Sequence, residues 1–274
     1  YKDLGNLDQA LTSTLKSLDL KPDDPYALMN LGLIIEEVTL SSSNTPQITK
    51  AYDLLLNLKN ISHSKLSNLF IQAFLPAIQA AAKIDPIILA NNDALNNLAG
   101  NWRLRKSLTL FTPPHQDIEH FLTRLRSELL ILASQQETIP EQLKPLSEAL
   151  ATQCFLNEYV YAQSTEEEEL VKKLIQNSSE SQDSFNQYLA IIACYIPIHK
   201  LNLNQELFNH YPTIREESKT LIQTQLEEPN EEKRIKISIQ KSSPIGNLIS
   251  AKVQAMYEEN PYPRYLYADH TSKS

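Results

Sequence analysis

Asp19-Leu20-Lys21-Pro22-Asp23-Asp24-Pro25-Tyr26-Ala27-Leu28-Met29-Asn30-Leu31-Gly32 is the stretch on which the fold turns. It reads as the end of one helix, a tight turn and the start of the next. Pro25 opens the second helix, where its fixed φ suits the first turn and its missing N–H costs nothing. Upstream, Leu7-Asp-Gln-Ala10-Leu belongs to the first helix, with Ala10 small enough for close backbone approach. Gly32 is expected at the matching close contact of the second helix. The rest of the chain agrees with this helical reading. Only four glycines occur in 274 residues, Gly5, Gly32, Gly100 and Gly246. Hairpin turns and phosphate-cradling loops both need glycine, so an all-α protein is expected.

The same stretch resembles the turn between tetratricopeptide repeats, helix hairpins of about 34 residues. Tyr1-Lys-Asp-Leu-Gly5 resembles the end of a preceding helix. The next equivalent of Ala10 is Ala51, which is 41 residues on. The excess falls in Leu40-Ser-Ser-Ser-Asn-Thr-Pro46, a polar loop with breaker residues. A stretched repeat suggests the end of an array, where terminal repeats are atypical. The resemblance implies a concave groove that takes protein or peptide segments, with Asn30 on it. In some relatives such asparagines bind peptide carboxylates; elsewhere they have no known ligand. The expected division is residues 1–62 as tetratricopeptide-type hairpins, 63–245 as an irregular all-helical domain, and 246–274 as a helix plus a proline-rich junction.

Helical spacing marks the middle region. Leu66, Leu69, Phe70, Ala73, Ala77, Ala80 and Ala81 form a stripe that Pro76 is expected to interrupt. Ile118, Phe121, Leu122, Leu125, Leu129 and Leu132 line a strong helix after Pro113-Pro114. Leu143, Leu146, Leu150, Cys154 and Tyr161 mark the next. Thr165-Glu-Glu-Glu168 has the form of a capping box. Tyr188 to Cys194 is apolar all round and should be the most buried helix. A helix from Ile214 to Glu228 should stop at Pro229. Lys233 to Ile239 alternates like a strand but lacks a partner, so irregular or helical structure is expected there.

Near the end, Lys252-Val-Gln-Ala-Met-Tyr-Glu-Glu-Asn-Pro-Tyr-Pro-Arg-Tyr265 runs from an amphipathic segment into two prolines. Each proline ends helix and extends the residue before it. This run resembles the junction between tetratricopeptide repeats and an S-adenosylmethionine-dependent methyltransferase domain in certain bacterial proteins. Cys154-Phe-Leu-Asn-Glu-Tyr-Val-Tyr161 and Ser243-Pro-Ile resemble the same family, in the same order. The resemblance implies that this chain is a recruitment or regulatory region. S-adenosylmethionine would then be the cofactor of the parent protein, held by a C-terminal catalytic domain that is itself a partner. No catalytic, cofactor-binding or metal residue is expected in this chain. Tyr257, Tyr262, Arg264 and Tyr265 would dock on that domain, as a hinge or a lid. The competing reading is a freestanding tetratricopeptide scaffold without catalysis. A repeat-containing glycosyltransferase is a third, and nothing in the residues favours it.

Composition narrows the partners. A net charge of −8 disfavours nucleic acid, because phosphate contacts need clustered Lys and Arg. Arg103, Arg105 and Lys106, and likewise Arg124 and Arg126, read as solvated helix faces. Cys154 and Cys194 fit no metal spacing and read as buried thiols, which suggests the cytoplasm. Tyr1 is not an initiator methionine, so a lost leader stays open. The longest apolar runs are broken or too short to span a bilayer, so no membrane is expected. His115-Gln-Asp-Ile-Glu-His120 reads as a polar helix start, since its histidines do not share a face. Glu166 to Glu169 point different ways on a helix. No phosphate loop, cofactor loop or nucleophile elbow is present. Asn157, Glu158, Tyr159 and Tyr161 are polar groups in an apolar run. They read either as buried hydrogen-bonded structure or as a wall that the catalytic domain completes.

Overall fold

The computed structural model describes residues 6–41, 45–59, 61–88 and 92–238. Ser243-Pro-Ile and the Lys252 to Tyr265 junction, with Tyr257, Tyr262, Arg264 and Tyr265, lie outside the described residues. Among the described residues there is no strand. The helices are α1 (Leu7–Leu20), α2 (Pro25–Ile35), α3 (Thr45–Leu56), α4 (Ser67–Ala82), α5 (Asp93–Gly100), α6 (Trp102–Leu108) and α7 (Gln116–Ser134). They continue as α8 (Lys144–Leu156), α9 (Thr165–Ser178), α10 (Gln182–Ile192), α11 (Gln205–Asn209), α12 (Glu216–Ile222) and α13 (Glu228–Ser238). A single π turn, Gln223–Glu227, joins α12 to α13.

Local side chains set the helix starts. Asn6 accepts from the Gln9 N–H, Asn92 from Leu95, and Asn101 from Arg103 and Leu104. Each satisfies donors that a first turn leaves orphaned. Asp24 caps α2 through the Tyr26 and Ala27 N–H groups, with Pro25 at the first helical position. The capping box of α9 sits one residue earlier than the expected Thr165–Glu168 pair. Ser164 is the cap and Glu167 returns the bond, because Ser164 rather than Thr165 has the extended backbone of a cap.

Helices α1 and α2 form an antiparallel hairpin, and α3 packs across both. Ala10 and Ala51 are buried, as the spacing predicts. Gly32 is not at a close contact: a methyl built on it would meet nothing within 4 Å. Its face of α2 is the more open one. From α3 the core runs on without a break into the following helices. Tyr52 bonds Ser107 of α6 at 2.7 Å, and Asp53 takes two bonds from Arg103.

Three further expectations change. Pro76 does not interrupt α4, because its ring faces solvent and the carbonyl it leaves unbonded belongs to exposed Gln72. The buried stripe is Leu69, Phe70, Phe74, Ile78 and Ala81, while Ala73 and Ala80 are exposed. The helix from α12 passes through Pro229 instead of stopping; Lys233 to Ser238 is helical, which was one of the two states expected there. Helix α10 is apolar and buried, but the most enclosed helix is α8, in which every residue from Leu146 to Phe155 is buried. Its Ser147, Glu148, Thr152 and Gln153 look like surface residues in sequence, and each is met by a polar partner.

The basic clusters are seams rather than solvated faces. Arg105 pairs with Glu217 at 2.6 Å and Lys106 with Glu216 at 3.2 Å, which ties α6 to α12. Arg124 closes the end of α4 by bonding the Ala82 and Ile84 carbonyls and also pairs with Glu128. Arg126 is fully buried, because it lies on the same face of α7 as Leu122, Leu129 and Leu130.

His63 lies against the end of α3, where the Leu55 and Leu58 carbonyls meet its ring. Burial still holds its pKa below the usual value. The unfolded histidine takes up a proton near pH 6.5 and the folded one only at lower pH. The unfolded state therefore binds more protons below about 6.5, and stability falls as pH descends from there. Urea titrations at pH 7.5 and 5.5 should show the wild type losing more stability than His63→Gln. For Gly32→Ala, the open space and helical position predict a gain of about 0.5–1 kcal/mol, read as a higher urea midpoint; a loss would restore the close-contact reading.

Candidate functional site

One face of α2 stands open. Its buried residues are Ala27, Leu31, Ile34 and Ile35. Around the helix from these, Tyr26, Met29 and Leu33 are exposed by 75%, 44% and 37%. Their spacing of three and four places them in one stripe. Asn30 is exposed within it. Isolated apolar side chains on a surface are ordinary, but a row of three with an aromatic among them is a contact surface in form.

The segment after α8 is built differently. Asn157 is the C-cap of α8, and Glu158 and Tyr159 both have φ of 57°. Two successive left-handed residues without glycine carry backbone strain of about 1–3 kcal/mol each. The turn they make brings the Tyr159 N–H to the Cys154 carbonyl at 2.8 Å. The Tyr159 hydroxyl then lies 3.3 Å from both the Ala193 carbonyl and Gln225 Oε1. Its ring meets Phe155 edge-on, and Phe155 meets His199 in the same way. Tyr159 thus joins the end of α8 to the end of α10 and to the π turn.

Gln225 is the centre of that joint and is wholly buried. Its amide nitrogen donates to the Ala151 and Ala193 carbonyls at 2.7 and 3.2 Å. Its amide oxygen accepts from the Ile198 N–H at 3.2 Å. Its own carbonyl would receive the N–H of residue 229 in a regular helix, but Pro229 has none. His199 Nδ1 stands 3.1 Å from that carbonyl, which fixes the proton on Nδ1. The π turn before Pro229 is where the helix accommodates the ring. This is how the helix passes a residue that should have ended it.

A second buried joint holds the other end of α8. Glu148 is 1% exposed and takes two bonds from Arg215, while the Tyr211 hydroxyl donates to it at 3.2 Å. Burial, then the Glu148 charge, pushes the Tyr211 phenol far above its usual range. Gln153, with its nitrogen toward the Leu108 and Phe111 carbonyls, accepts from Thr112. These contacts tie α8 to the stretch that leads into α12 and to the end of α6 with its link to α7.

Asn157 is buried, and neither of its amide atoms makes a hydrogen bond. It faces the Tyr161 hydroxyl closely enough to influence it, but at a geometry too poor for a bond. The structure does not bring Asn30 together with the Asn157–Tyr159 segment. Asn30 belongs to the α1–α3 layer, while Asn157 to Tyr159 pack on the α10 end and the π turn. His115 caps α7 through its Nδ1, and His120 lines an open groove between α4 and α7 with Ile78, Gln79, Lys83 and Asp117. No cluster of three metal-capable side chains occurs among the described residues. No helix among them is long and apolar enough to cross a membrane.

Glu148, Arg215, Gln225 and Arg126 are the polar residues whose importance sequence reasoning missed. For Glu148 the available signal was its place, with Thr152 four residues on, inside the apolar run of α8; Arg126, Arg215 and Gln225 lie in other elements and carried no such signal. Comparison with protein-family models, with curated proteins and with solved structures finds no match for this chain.

Removing the Gln225 amide should leave the buried Ile198 N–H without its acceptor and take one hydrogen bond each from the Ala151 and Ala193 carbonyls. Gln225→Leu is expected to cost about 3 kcal/mol, measured by urea unfolding. A cost below about 1 kcal/mol, within the range of a single ordinary hydrogen bond, would show that water replaces the amide.

Proposed function

We propose that this chain is the helical recruitment region of a bacterial S-adenosylmethionine-dependent methyltransferase. A catalytic domain joined through the Tyr257–Tyr265 junction would transfer the methyl group, and the helical region would bring the acceptor to it. Two things support the reading. One is the resemblance in ordered blocks, Cys154 to Tyr161, Ser243-Pro-Ile and Lys252 to Tyr265. The other, which carries the recruiting role, is the open α2 stripe of Tyr26, Met29 and Leu33 around Asn30. Tyrosine and methionine supply large contact area on a rigid helix. Asn30 adds a donor and an acceptor that can meet a peptide group.

The α2 stripe equally favours a freestanding scaffold that binds protein segments without catalysis. The two separate on chemistry. In the first reading the complete protein binds S-adenosylmethionine and labels an acceptor with its methyl group, while the 274-residue chain alone shows no micromolar binding of the cofactor by titration calorimetry.

In the same assay Tyr26→Ser with Met29→Ser should raise KM for a protein acceptor about tenfold, near 1.4 kcal/mol, with kcat little changed. An unchanged KM would remove α2 as the recruiting face. Absence of methyl transfer by the complete protein, with partner binding still lost in the double variant, would leave the scaffold.

A further inference from the structure

Helices α4 and α7 leave an open groove of about 280 Å³ between them. Its floor is apolar, formed by Ile78 and Ala82 of α4 and Phe121 of α7. Two contacts across the seam mark its ends. At one, the Gln79 amide nitrogen donates to Asp117 Oδ2 at 2.6 Å. At the other, Arg124 donates to the Ala82 carbonyl at 3.1 Å, beside Lys83. His120 and Phe121 lie between these ends on α7. Gln79 and Lys83, the C-cap of α4, are about one helical turn apart, near 6 Å of rise.

The two ends carry opposite charge. Arg124 is answered by Asp85 at 2.6 Å and Glu128 at 2.9 Å. Lys83 is therefore the unanswered cation of its end, since among the described residues no carboxylate pairs with it. Asp117 is the unanswered anion of the other. It sits in the first turn of α7, where the helix dipole favours its charge without a cation. A neutral amide holds its carboxylate instead. That bond uses Asp117 Oδ2 and the Gln79 nitrogen, so Asp117 Oδ1 and Gln79 Oε1 are two acceptors that receive no donor among the described residues. An ammonium group carries three donors and suits such a pair, while a carboxylate suits the Lys83 end.

We propose that this groove binds a free α-amino acid with an apolar side chain. Its ammonium group meets Asp117 and Gln79, its carboxylate meets Lys83, and its side chain lies along Ile78, Ala82 and Phe121. Lys83 and Asp117 sum to zero charge, so a zwitterion matches both, whereas a simple anion would face Asp117 and a simple cation would face Lys83. Groups carried on one carbon suit ends that are one helical turn apart. Both charged residues are exposed, so their contacts are individually weak and the affinity is millimolar. This inference does not depend on the methyltransferase reading.

The test is a nuclear magnetic resonance titration of the isotope-labelled 274-residue chain with L-leucine. Saturable shifts should appear at the amides of Gln79, Ala82, His120 and Phe121. Leucinamide lacks the carboxylate and isocaproate lacks the ammonium group, and each should bind about tenfold more weakly than leucine. Asp117→Asn keeps an acceptor for Gln79 but drops the charge. It should weaken leucine about tenfold without weakening isocaproate. Lys83→Met should weaken leucine to a similar degree and leave leucinamide unchanged. Both substitutions are at exposed positions, so the thermal midpoints of the free variants should match the wild type. The absence of saturable shifts at these amides overturns the proposal. Leucinamide binding as tightly as leucine also overturns it and points to the amino end of a peptide. Isocaproate binding as tightly as leucine, or either variant retaining wild-type affinity for leucine, overturns it as well.

Discussion

The enclosure of α8 is the constraint on which the rest of the structure depends. From Leu146 to Phe155 this helix has neighbours on every side. A helix in that position is normally apolar all round. This one carries Glu148, Thr152 and Gln153, and a buried polar group without a partner costs more than its bond returns. Each of these residues therefore dictates where something else must be. Glu148 requires Arg215 and Tyr211, which draws the start of α12 against α8. Gln153 holds the chain that links α6 to α7. The Ala151 carbonyl receives Gln225. Hydrophobic burial supplies most of the driving force for collapse. It is non-directional, so the polar contacts select which helix lies beside which.

Helix content was legible because glycine scarcity and apolar spacing of three and four agree along the chain. Pro25 was read correctly from local rules as the first residue of α2, and Ala10 and Ala51 are buried as expected. The errors share one cause, since local rules cannot see what lies opposite a residue. Pro76 and Pro229 are both breakers by propensity. One survives in α4 by facing solvent, the other because His199, distant in sequence, takes the carbonyl it frees. Arg126 looks like a solvated cation until Tyr161 and Tyr195 close over it. Gly32 was assigned a close contact from the repeat pattern, yet nothing lies opposite it.

The candidate site was only partly legible. Asn30 could be placed on a helix face, and the exposed stripe around it follows from the buried residues opposite. Asn157, Glu158 and Tyr159 could be flagged as polar groups in an apolar run, but not sorted among themselves. In the fold they differ. Tyr159 is a structural tie, Glu158 carries left-handed backbone, and Asn157 faces inward with its amide unused. Such a division depends on which way the chain turns after α8, and without glycine there no residue announces a left-handed turn.

The π turn between α12 and α13 has a geometric result. A π turn is an α-helix with one residue inserted, and each residue advances an α-helix by about 100° of rotation and 1.5 Å of rise. Gln225, wedged between Ala151, Ala193 and Ile198, thus sets the azimuth of everything carried on α13. Loss of one residue from this turn would swing the side chains of α13 by more than a quarter of a revolution while leaving α12 seated. Direction at this exit from the core is therefore quantised in single-residue steps, and a deletion here would re-aim α13 where a point substitution would only loosen it.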